Sequence, residues 1–404
     1  MKILFITGLY PKGKEKEYSS KCKNTPIQNA ANEFQWRFVE GLHENNADFY
    51  VISLPFLPSW PRNYKDIYTD SGEITYKNKT IGRYVKYCTI PAIKGLSLTL
   101  RLRKEIKGFL KNFPKEQVCI ITYNSLNYMQ EAVRPLKKKY DIKLVSIITD
   151  LIDDATNPTF KLSTLKYIQA RLAQRSVWKS YDYTDGFILL SKYMTERIPQ
   201  AIGKSIVVEG IAKDTANDEI RLKPDNIKSI VYTGSLAEFT GVRKLVDAFM
   251  QTTDKNYRLI ICGKGELTKY IESCALKDSR IDYRGIVTHS EATDLQREAK
   301  AVINPRQPNS SITRYSFPSK TMEYLLSGTA MIGYRLEGIP EEYYEHFYSP
   351  SDMSVEALSR TIEYVLDCLP EDLMEKATKA KCFILENKTA TKQVERVLSF
   401  ISKM

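Results

Sequence analysis

Residues 313–328, TRYSFPSKTMEYLLSG, decide how the second half of the chain folds. They predict a loop that turns into a short helix, because Pro318 suits the first helical turn and Gly328 suits the position just past a helix end. Three apolar residues of this helix share one face and are predicted to pack on a sheet: Met322, Leu325 and Leu326.

The start of this helix is a predicted anion-binding site. Its first backbone amides carry a partial positive charge, and Ser319, Lys320 and Glu323 share the face beside them. A cation, a hydroxyl and amides suit phosphates, whereas a carboxylate suits sugar hydroxyls. The combination indicates a ligand with phosphates at one end and a sugar at the other, such as a nucleotide sugar.

Length and composition limit the class of protein. A chain of 404 residues predicts two domains, and 43% hydrophobic residues can fill two cores. The net charge of +12 favours phosphate-rich partners: nucleic acid, anionic lipid or nucleotide. The seven cysteines are scattered without metal-type spacing, so we expect reduced thiols and no metal site. No signal peptide or membrane-spanning run is recognisable, and we expect a cytosolic protein.

The first half of the chain alternates strands and helices. Residues 2–7 predict a buried strand that ends at Gly8, and a helix over 30–43 and a strand over 49–54 follow a long polar loop. This order indicates a Rossmann-like unit with a ligand site near Gly8. Residues 55–95, rich in proline and tyrosine, are predicted to be irregular.

A basic amphipathic helix is predicted after residue 97. Its apolar stripe consists of Leu98, Leu102, Ile106, Phe109 and Phe113. Its basic residues include Arg103, Lys107 and Lys111. The pattern fits a helix packed on its sheet with a solvated basic face, and it also fits contact with an anionic membrane surface. The two interpretations are compatible if only the basic face meets lipid.

Polar residues follow two later strands of the first half. Asn124 and Asp150 stand where predicted strands end, which is where open α/β sheets bind ligands. Asp150, Asp153 and Asp154 are either carboxylates for acid–base chemistry or a turn and N-cap cluster. We take Asp150 as a candidate catalytic residue.

The alternating pattern restarts after a charged linker at about 210–228. Glycines again stand at strand ends, among them Gly234 and Gly263. Two similar α/β halves indicate a ligand cleft between them.

The motifs of the second half resemble, in order, those of one enzyme family. They are YTGSL with Gly234, LIICGKG with Gly263, YRGIV with Gly285, AVINP and SFPSKTMEYLLSG. Together they resemble the donor-binding domain of retaining family 4 glycosyltransferases, the glycosyl transferases group 1, of the bacterial surface-polysaccharide type. The resemblance implies a GT-B fold, an α/β architecture of two Rossmann-like domains that face each other across a cleft. It implies an acceptor domain over 1–209, a donor domain over 210–387 and a helix over 388–404 that crosses back to the first domain.

The resemblance also implies roles for single residues. Glu323 matches the glutamate that hydrogen-bonds the nucleotide ribose in relatives. Tyr315 stands where relatives carry the glutamate that touches the sugar, and backbone amides from Tyr315 to Phe317 are expected to replace it. The candidate catalytic residues are therefore Asp150, Tyr315 and Glu323.

The phosphate site departs from the family pattern. Ser235 and Thr240 stand where many relatives carry Arg and Lys, so the diphosphate needs other cations. The candidates are Arg243, Lys264 and above all Lys320. The residues expected to bind the donor are Gly8, Gly234, Ser235, Arg243, Gly263, Lys264, Ser316, Phe317, Pro318, Ser319, Lys320 and Glu323. No cofactor or metal is expected beside a UDP- or GDP-sugar as substrate.

The implied activity is transfer of a sugar, with retention of configuration, to a saccharide acceptor, free or lipid-linked, at the inner face of the cell membrane. One alternative is a nucleotide-sugar 2-epimerase of GT-B shape, although the chain has only three histidines. A non-catalytic protein of the same fold is another. A nucleic-acid-binding protein is a further alternative, but no RNA-recognition, zinc-finger or helix-turn-helix signature is present, so nucleic acid is not an expected partner.

Overall fold

The computed structural model describes residues 1–114, 116–137, 139–151, 164–213, 220, 222–226, 228–308 and 311–404, except the side chains of 164–171, 173 and 311. The chain forms two compact units, residues 1–211 with 390–404 and residues 212–389. The sequence-based boundaries are 209/210 and 387/388. Asp153 and Asp154 lie outside the described residues. Within the described ranges, no helix is long and apolar enough to cross a membrane.

The first unit contains an eight-stranded sheet. Its strands are β1 Lys2–Thr7, β2 Phe49–Ser53, β3 Gly72–Tyr76, β4 Lys79–Tyr84, β5 Val118–Tyr123, β6 Ile142–Ile148, β7 Gly186–Leu189 and β8 Ser205–Val207. Their order is β3-β4-β2-β1-β5-β6-β7-β8. All neighbours are parallel except β3 and β4. Apolar runs such as β5 are buried along their whole length because helices cover both faces of the sheet.

The prediction of irregular structure over 55–95 is wrong, because this region contains β3 and β4. The two strands form an antiparallel hairpin, and its turn residues Lys77 and Asn78 have φ of 46° and 62°. Such a two-residue turn needs positive φ at both positions, for which Asn-Gly is the usual sequence signal. Lys77-Asn78 lacks that signal, so the sequence pattern does not reveal the hairpin.

Helices flank this sheet. They are α1 Glu15–Lys21, α2 Asn29–Glu44, α3 Pro91–Asn112, α4 Asn127–Lys137 and α5 Thr164–Tyr181. The short helix α1 lies in the loop after Gly8, which the sequence predicted as polar loop. The inner face of α3 is buried as predicted, with Leu98, Leu102 and Ile106 packed into the core.

The second unit is built on a five-stranded parallel sheet. Its strands are β9 Ser229–Thr233, β10 Arg258–Cys262, β11 Ile281–Gly285, β12 Ala301–Asn304 and β13 Ala330–Gly333, in the order β11-β10-β9-β12-β13. Its helices are α6 Val242–Met250, α7 Thr268–Lys277, α8 His289–Glu298, α9 Ser311–Tyr315, α10 Ser319–Leu326, α11 Val355–Asp367 and α12 Pro370–Asn387. Because all strands are parallel, the loops after β9, β10 and β12 leave the same edge of the sheet.

The last helix, α13 (Ala390–Ser402), belongs to the first unit and packs on α2. The two helices meet closely at Gly41, where an added Cβ would lie 2.3 Å from the Ala390 carbonyl oxygen and 2.4 Å from a Val394 methyl group. Asn45 donates from Nδ2 to the Thr391 carbonyl at 2.9 Å. The prediction that the final helix returns to the first domain is therefore confirmed, as is the α/β fold class.

Candidate functional site

Helix α10 begins at the carboxyl edge of the second sheet. Pro318 is its N-cap residue with extended backbone, and helical geometry begins at Ser319, one residue later than the sequence predicts. Among the described residues, no side chain caps this end. The Thr321 amide donates to the Pro318 carbonyl at 2.9 Å, and the first turn keeps the partial positive charge of a helix start.

A buried tyrosine fixes the position of α10. Tyr324 is fully buried, and its hydroxyl accepts a hydrogen bond from the Thr233 amide at 3.1 Å and donates to the Thr233 carbonyl at 3.2 Å. Burial raises the pKa of this phenol well above its usual range, so it stays protonated and able to donate. The sequence did not single out Tyr324, because a tyrosine beside leucines fits simple packing equally well. The contact ties α10, through its last turn, to the end of β9.

Glu323 is held by a glutamine that the sequence did not single out. Gln296, which is buried on α8, donates from Nε2 to Glu323 Oε1 at 2.9 Å and to Thr233 Oγ1 at 2.8 Å. The other carboxylate oxygen, Oε2, lies 3.9 Å from Lys320 Nζ. The Glu323 side chain is 38% exposed. It is therefore oriented by one buried donor while part of its surface faces solvent.

The strand-end glycines allow close backbone approach. Gly263 has φ of +140°, and a Cβ there would lie 1.7 Å from the Gly234 carbonyl oxygen. A Cβ on Gly234 would lie 2.6 Å from Lys320 Cε. The structure thus brings Gly234, Gly263 and Lys320 together at one edge. The stem of Lys320 passes directly over the loop after β9.

The other candidate cations differ in their surroundings. Lys264 is exposed next to Gly263, and Ser235 is exposed next to Gly234. Arg243 makes two hydrogen bonds to Glu238, at 2.7 and 3.0 Å, and its guanidinium stacks 4.3 Å from the centre of the Tyr270 ring. Arg243 therefore already has a carboxylate partner, and a role for it at the phosphates stays a prediction.

The segment before α10 is packed on its own unit. Phe317 is buried, with its ring centre 5.3 Å from that of Tyr343. Ser316 donates from Oγ to the Ile312 carbonyl at 2.6 Å. Tyr315 is half-buried at the end of α9. The backbone of this segment is thus fixed on the amino-terminal side of α10.

The first-unit candidates lie at the carboxyl edge of their own sheet. Thr149 Oγ1 lies 2.8 Å from Asn124 Oδ1 and 3.0 Å from Asp150 Oδ2, so its hydroxyl proton can be donated to either, and Asn124 and Asp150 are neighbours. Asp150 is exposed. Gly8 is buried instead: its amide donates to Gln35 Oε1 at 2.7 Å, and a Cβ would lie 2.0 Å from the Phe56 ring. Packing alone explains this glycine, and its contact with a donor stays a prediction.

Solved structures define the class of fold. Sucrose-phosphate synthase from Thermosynechococcus elongatus aligns over 100% of both chains with a TM-score of 0.64 and 12% identity. HepE from Anabaena in complex with UDP aligns over 100% of both chains with a TM-score of 0.61 and 12% identity. The lipopolysaccharide outer core galactosyltransferase WaaB does so with a TM-score of 0.61 and 14% identity. The chain therefore has the GT-B fold of glycosyltransferases.

A narrower match lies within the second unit. Residues 227–368 match the family model described as Glycosyl transferases group 1. This range contains the loops after β9, β10 and β12 and the whole of α10. A search of curated proteins found no match.

Proposed function

We propose that the protein is a retaining glycosyltransferase that moves a sugar from a UDP- or GDP-sugar to a saccharide acceptor, free or lipid-linked, in surface-polysaccharide synthesis. The observation that carries this proposal is the Glu323 carboxylate, held by Gln296 within one turn of the uncapped start of α10. A carboxylate that can accept hydrogen bonds from sugar hydroxyls therefore lies beside a site for the diphosphate. The nucleotide sugar is a substrate, and neither a resident cofactor nor a metal is part of the proposal.

Glu323 binds the ribose. A carboxylate accepts hydrogen bonds from two neighbouring hydroxyls, and charged acceptors form the stronger hydrogen bonds. Because Gln296 occupies only part of Oε1, the remaining lone pairs of the carboxylate are available to the ribose. The sequence resemblance assigns the same role to this position.

The start of α10 and Lys320 bind the diphosphate. Helix amides and the helix dipole favour an anion at this end, and the ammonium group of Lys320 adds a full charge. Lys320 crosses Gly234, so its charge lies at the edge where the glycine-rich loops leave the sheet. The leaving diphosphate is stabilised in this way, and no protein nucleophile is required.

The sugar and the acceptor meet the remaining candidates. The backbone of Tyr315, Ser316 and Phe317 is proposed to contact the sugar in place of the missing glutamate. Asp150 and Asn124 are proposed to act on the acceptor side, as polar groups at strand ends of the first unit. Two similar structures support a nucleotide and a saccharide as ligands: HepE in complex with UDP and glucose, and WaaB, a galactosyltransferase of the lipopolysaccharide outer core.

The donor role of Glu323 is tested by Glu323→Gln, which keeps the shape of the side chain and removes its charge. Wild type should be stabilised thermally by at least one member of a UDP- and GDP-sugar panel, because a ligand that binds the native state raises its melting temperature. For that donor we expect Glu323→Gln to bind about 10- to 100-fold more weakly, since a hydrogen bond to a charged group contributes about 1.5–3 kcal/mol.

Glu272→Gln is the matched control, because Glu272 is an exposed residue of α7. It should bind the donor like wild type. Equal affinity of Glu323→Gln and wild type would refute the ribose contact. If no nucleotide sugar stabilises the protein, the proposal that its substrate is a UDP- or GDP-sugar is refuted.

The outer face of α3 supports a peripheral membrane site. At helical spacing, one exposed stripe begins with apolar residues and continues with lysines: Ile93, Leu96, Leu100, Lys104, Lys107 and Lys111. Leu96 is 62% exposed and Leu100 is 52% exposed. Arg103 is not part of this stripe, because its guanidinium donates to the Glu131 carbonyl at 2.6 Å. Exposed leucines beside lysines fit an anionic lipid surface, where each basic residue contributes about 1 kcal/mol.

Charge reversal tests this surface. The double change Lys104→Glu and Lys107→Glu should strongly reduce pelleting with vesicles that contain anionic lipid and leave donor binding unchanged. The control reverses Lys269 and Lys277, two exposed lysines of α7. If both pairs lower pelleting equally, the effect is net charge alone and the α3 site is wrong.

A further inference from the structure

The loops after β9 and β12 touch each other at the candidate site. Gly241, at the end of the loop after β9, has φ of +80°, and a Cβ there would lie 2.0 Å from the Pro305 carbonyl oxygen and 3.4 Å from the Arg306 amide nitrogen. Strands β9 and β12 are parallel neighbours, so both loops leave the same edge of the sheet. Arg306 therefore belongs to this edge, although it lies more than 60 positions beyond Gly241 in the chain.

Arg306 is a half-buried arginine whose charge has no acceptor among the described residues. Its Nε is buried without a hydrogen-bond partner, and no carboxylate of the described residues pairs with the guanidinium. Its neighbour is an aromatic ring, Phe239, whose centre lies 5.6 Å away. Burial lowers the pKa of Arg306, which reflects the cost of keeping this charge away from water. A buried donor without a partner calls for a physical explanation.

Another arginine of the same unit shows the ordinary arrangement. Arg280 is almost fully buried, and it donates to both carboxylate oxygens of Asp278 and to the carbonyls of Thr252 and Asp254. The chain therefore satisfies the donors of an arginine that serves packing. Arg306 lacks such acceptors, which fits a guanidinium whose acceptor is a ligand.

Arg306 also acts on Tyr232, at the end of β9 and next to Gly234, the glycine that Lys320 of α10 crosses. Burial raises the pKa of Tyr232 to about 12. The positive charge of Arg306 acts in the opposite direction. The Tyr232 hydroxyl donates to the Ser235 carbonyl at 2.7 Å and would lie 2.9 Å from a Cβ on Gly234. Lys320 Cε would lie 2.6 Å from the same Cβ. A guanidinium from the loop after β12 and the ammonium group of Lys320 from α10 thus lie near the end of β9.

We infer that Arg306 binds the diphosphate of the nucleotide-sugar donor and supplies, from the loop after β12, the guanidinium that the loop after β9 lacks at Ser235 and Thr240. This inference rests on the proposed function. A guanidinium offers two parallel N–H groups to a phosphate, and burial strengthens the interaction once the charge is compensated. Lys320 and the start of α10 supply the other positive groups.

The test compares a nucleoside diphosphate with its nucleoside. Titration calorimetry would use UDP with uridine and GDP with guanosine, and the nucleoside would be measured by competition. We expect Arg306→Ala to weaken diphosphate binding about tenfold or more and nucleoside binding less than twofold, because a charge-assisted hydrogen bond is lost only with the diphosphate. Arg306→Lys keeps the charge without the planar fork and should fall between the two.

Arg258→Ala is the matched control. Arg258 begins β10 at the opposite edge of the sheet and donates to the carbonyls of Lys255 and Tyr257, so the change removes the same charge from the same unit.

Equal weakening by Arg258→Ala would mean that net charge is responsible and would overturn the assignment. If Arg306→Ala binds the diphosphate as tightly as wild type, the assignment is also overturned, but the proposed function still stands. Loss of nucleoside and diphosphate binding alike in both Arg306 variants would indicate a structural role and would also overturn it. Wild type that binds no nucleoside diphosphate would overturn this inference and the proposed function together.

Discussion

Replacing Tyr324 by phenylalanine removes one buried hydroxyl and keeps the ring that packs α10 on its sheet. In wild type this hydroxyl accepts from the Thr233 amide at 3.1 Å and donates to the Thr233 carbonyl at 3.2 Å. The variant leaves a buried amide without a partner, because Thr233 is 4% exposed. An unsatisfied buried donor costs about 1–3 kcal/mol, so we expect the second unit to lose about 2 kcal/mol of unfolding free energy.

The assay can separate the two units. The three tryptophans, Trp36, Trp60 and Trp178, all belong to the first unit, so their fluorescence in urea reports that unit. Hydrogen exchange of a peptide that covers residues 229–233 reports β9 in the second unit. Tyr324→Phe should speed exchange in β9 about 30-fold, which corresponds to about 2 kcal/mol, and leave the fluorescence midpoint unchanged.

A second tyrosine of the same unit provides the control. Tyr257 is also buried, but its hydroxyl donates to Asp367 Oδ2 at 2.7 Å, and the Asp367 side chain is 54% exposed. Water can hydrate that carboxylate when the hydroxyl is removed, so Tyr257→Phe should cost only about 0.5–1 kcal/mol. Unchanged exchange in β9 of Tyr324→Phe, or an equal loss in both variants, would refute the reasoning.

The same phenol links stability to pH. Burial raises the pKa of Tyr324, so the folded state keeps the proton at a pH where the unfolded state has lost it. The unfolded phenol ionises near pH 10, and the contribution of Tyr324 to stability is therefore present below about pH 10 and falls as the pH rises further. The difference in stability between wild type and Tyr324→Phe should shrink above that pH. A constant difference up to pH 11 would show that the hydroxyl is not desolvated as described.

Two further substitutions test the site and the fold. Gln296→Leu removes the donor that orients Glu323 and should weaken donor binding several-fold without preventing folding, as measured by calorimetry and melting; donor affinity like that of wild type would contradict the orienting role. Gly41→Ala places a methyl group 2.4 Å from Val394 and should cost about 1–3 kcal/mol of first-unit stability in urea followed by tryptophan fluorescence. Gly108→Ala, in a helical position with open space, should be neutral or stabilising, so an equal loss in both would refute the packing argument.

Regular alternation made the architecture predictable. Buried parallel strands need apolar runs and glycine-rich exits, and these features place β9, β10 and β12 and the start of α10 within a residue or two. They also explain why Lys320 and Gly234 could be expected to meet, since both stand at the carboxyl edge of one parallel sheet. The hairpin of β3 and β4 was hidden because its turn is made by Lys77 and Asn78 instead of a glycine pair.

The supports of the site were not predictable in the same way. Gln296 is 27 positions away from Glu323 and lies on a helix with many polar residues, where only burial distinguishes it from its solvated neighbours. Nothing local in the sequence reports that burial. Tyr324 is similar, because a tyrosine next to a leucine fits packing as well as hydrogen bonding, and the partner at Thr233 is defined only by the fold.

The choice between Arg243 and Arg306 shows what the fold adds to a count of charges. In the sequence both are arginines near strand ends, and Arg243 is the nearer of the two to the glycine motif. In the structure Arg243 is neutralised by Glu238, five positions before it, whereas Arg306 faces an aromatic ring and has no carboxylate partner among the described residues. The field at a diphosphate depends on distance and on compensation by nearby carboxylates, and it does not depend on which loop carries the charge. Because the two loops touch at Gly241, a cation missing from the loop after β9 can be supplied by the loop after β12 at the same edge of the sheet.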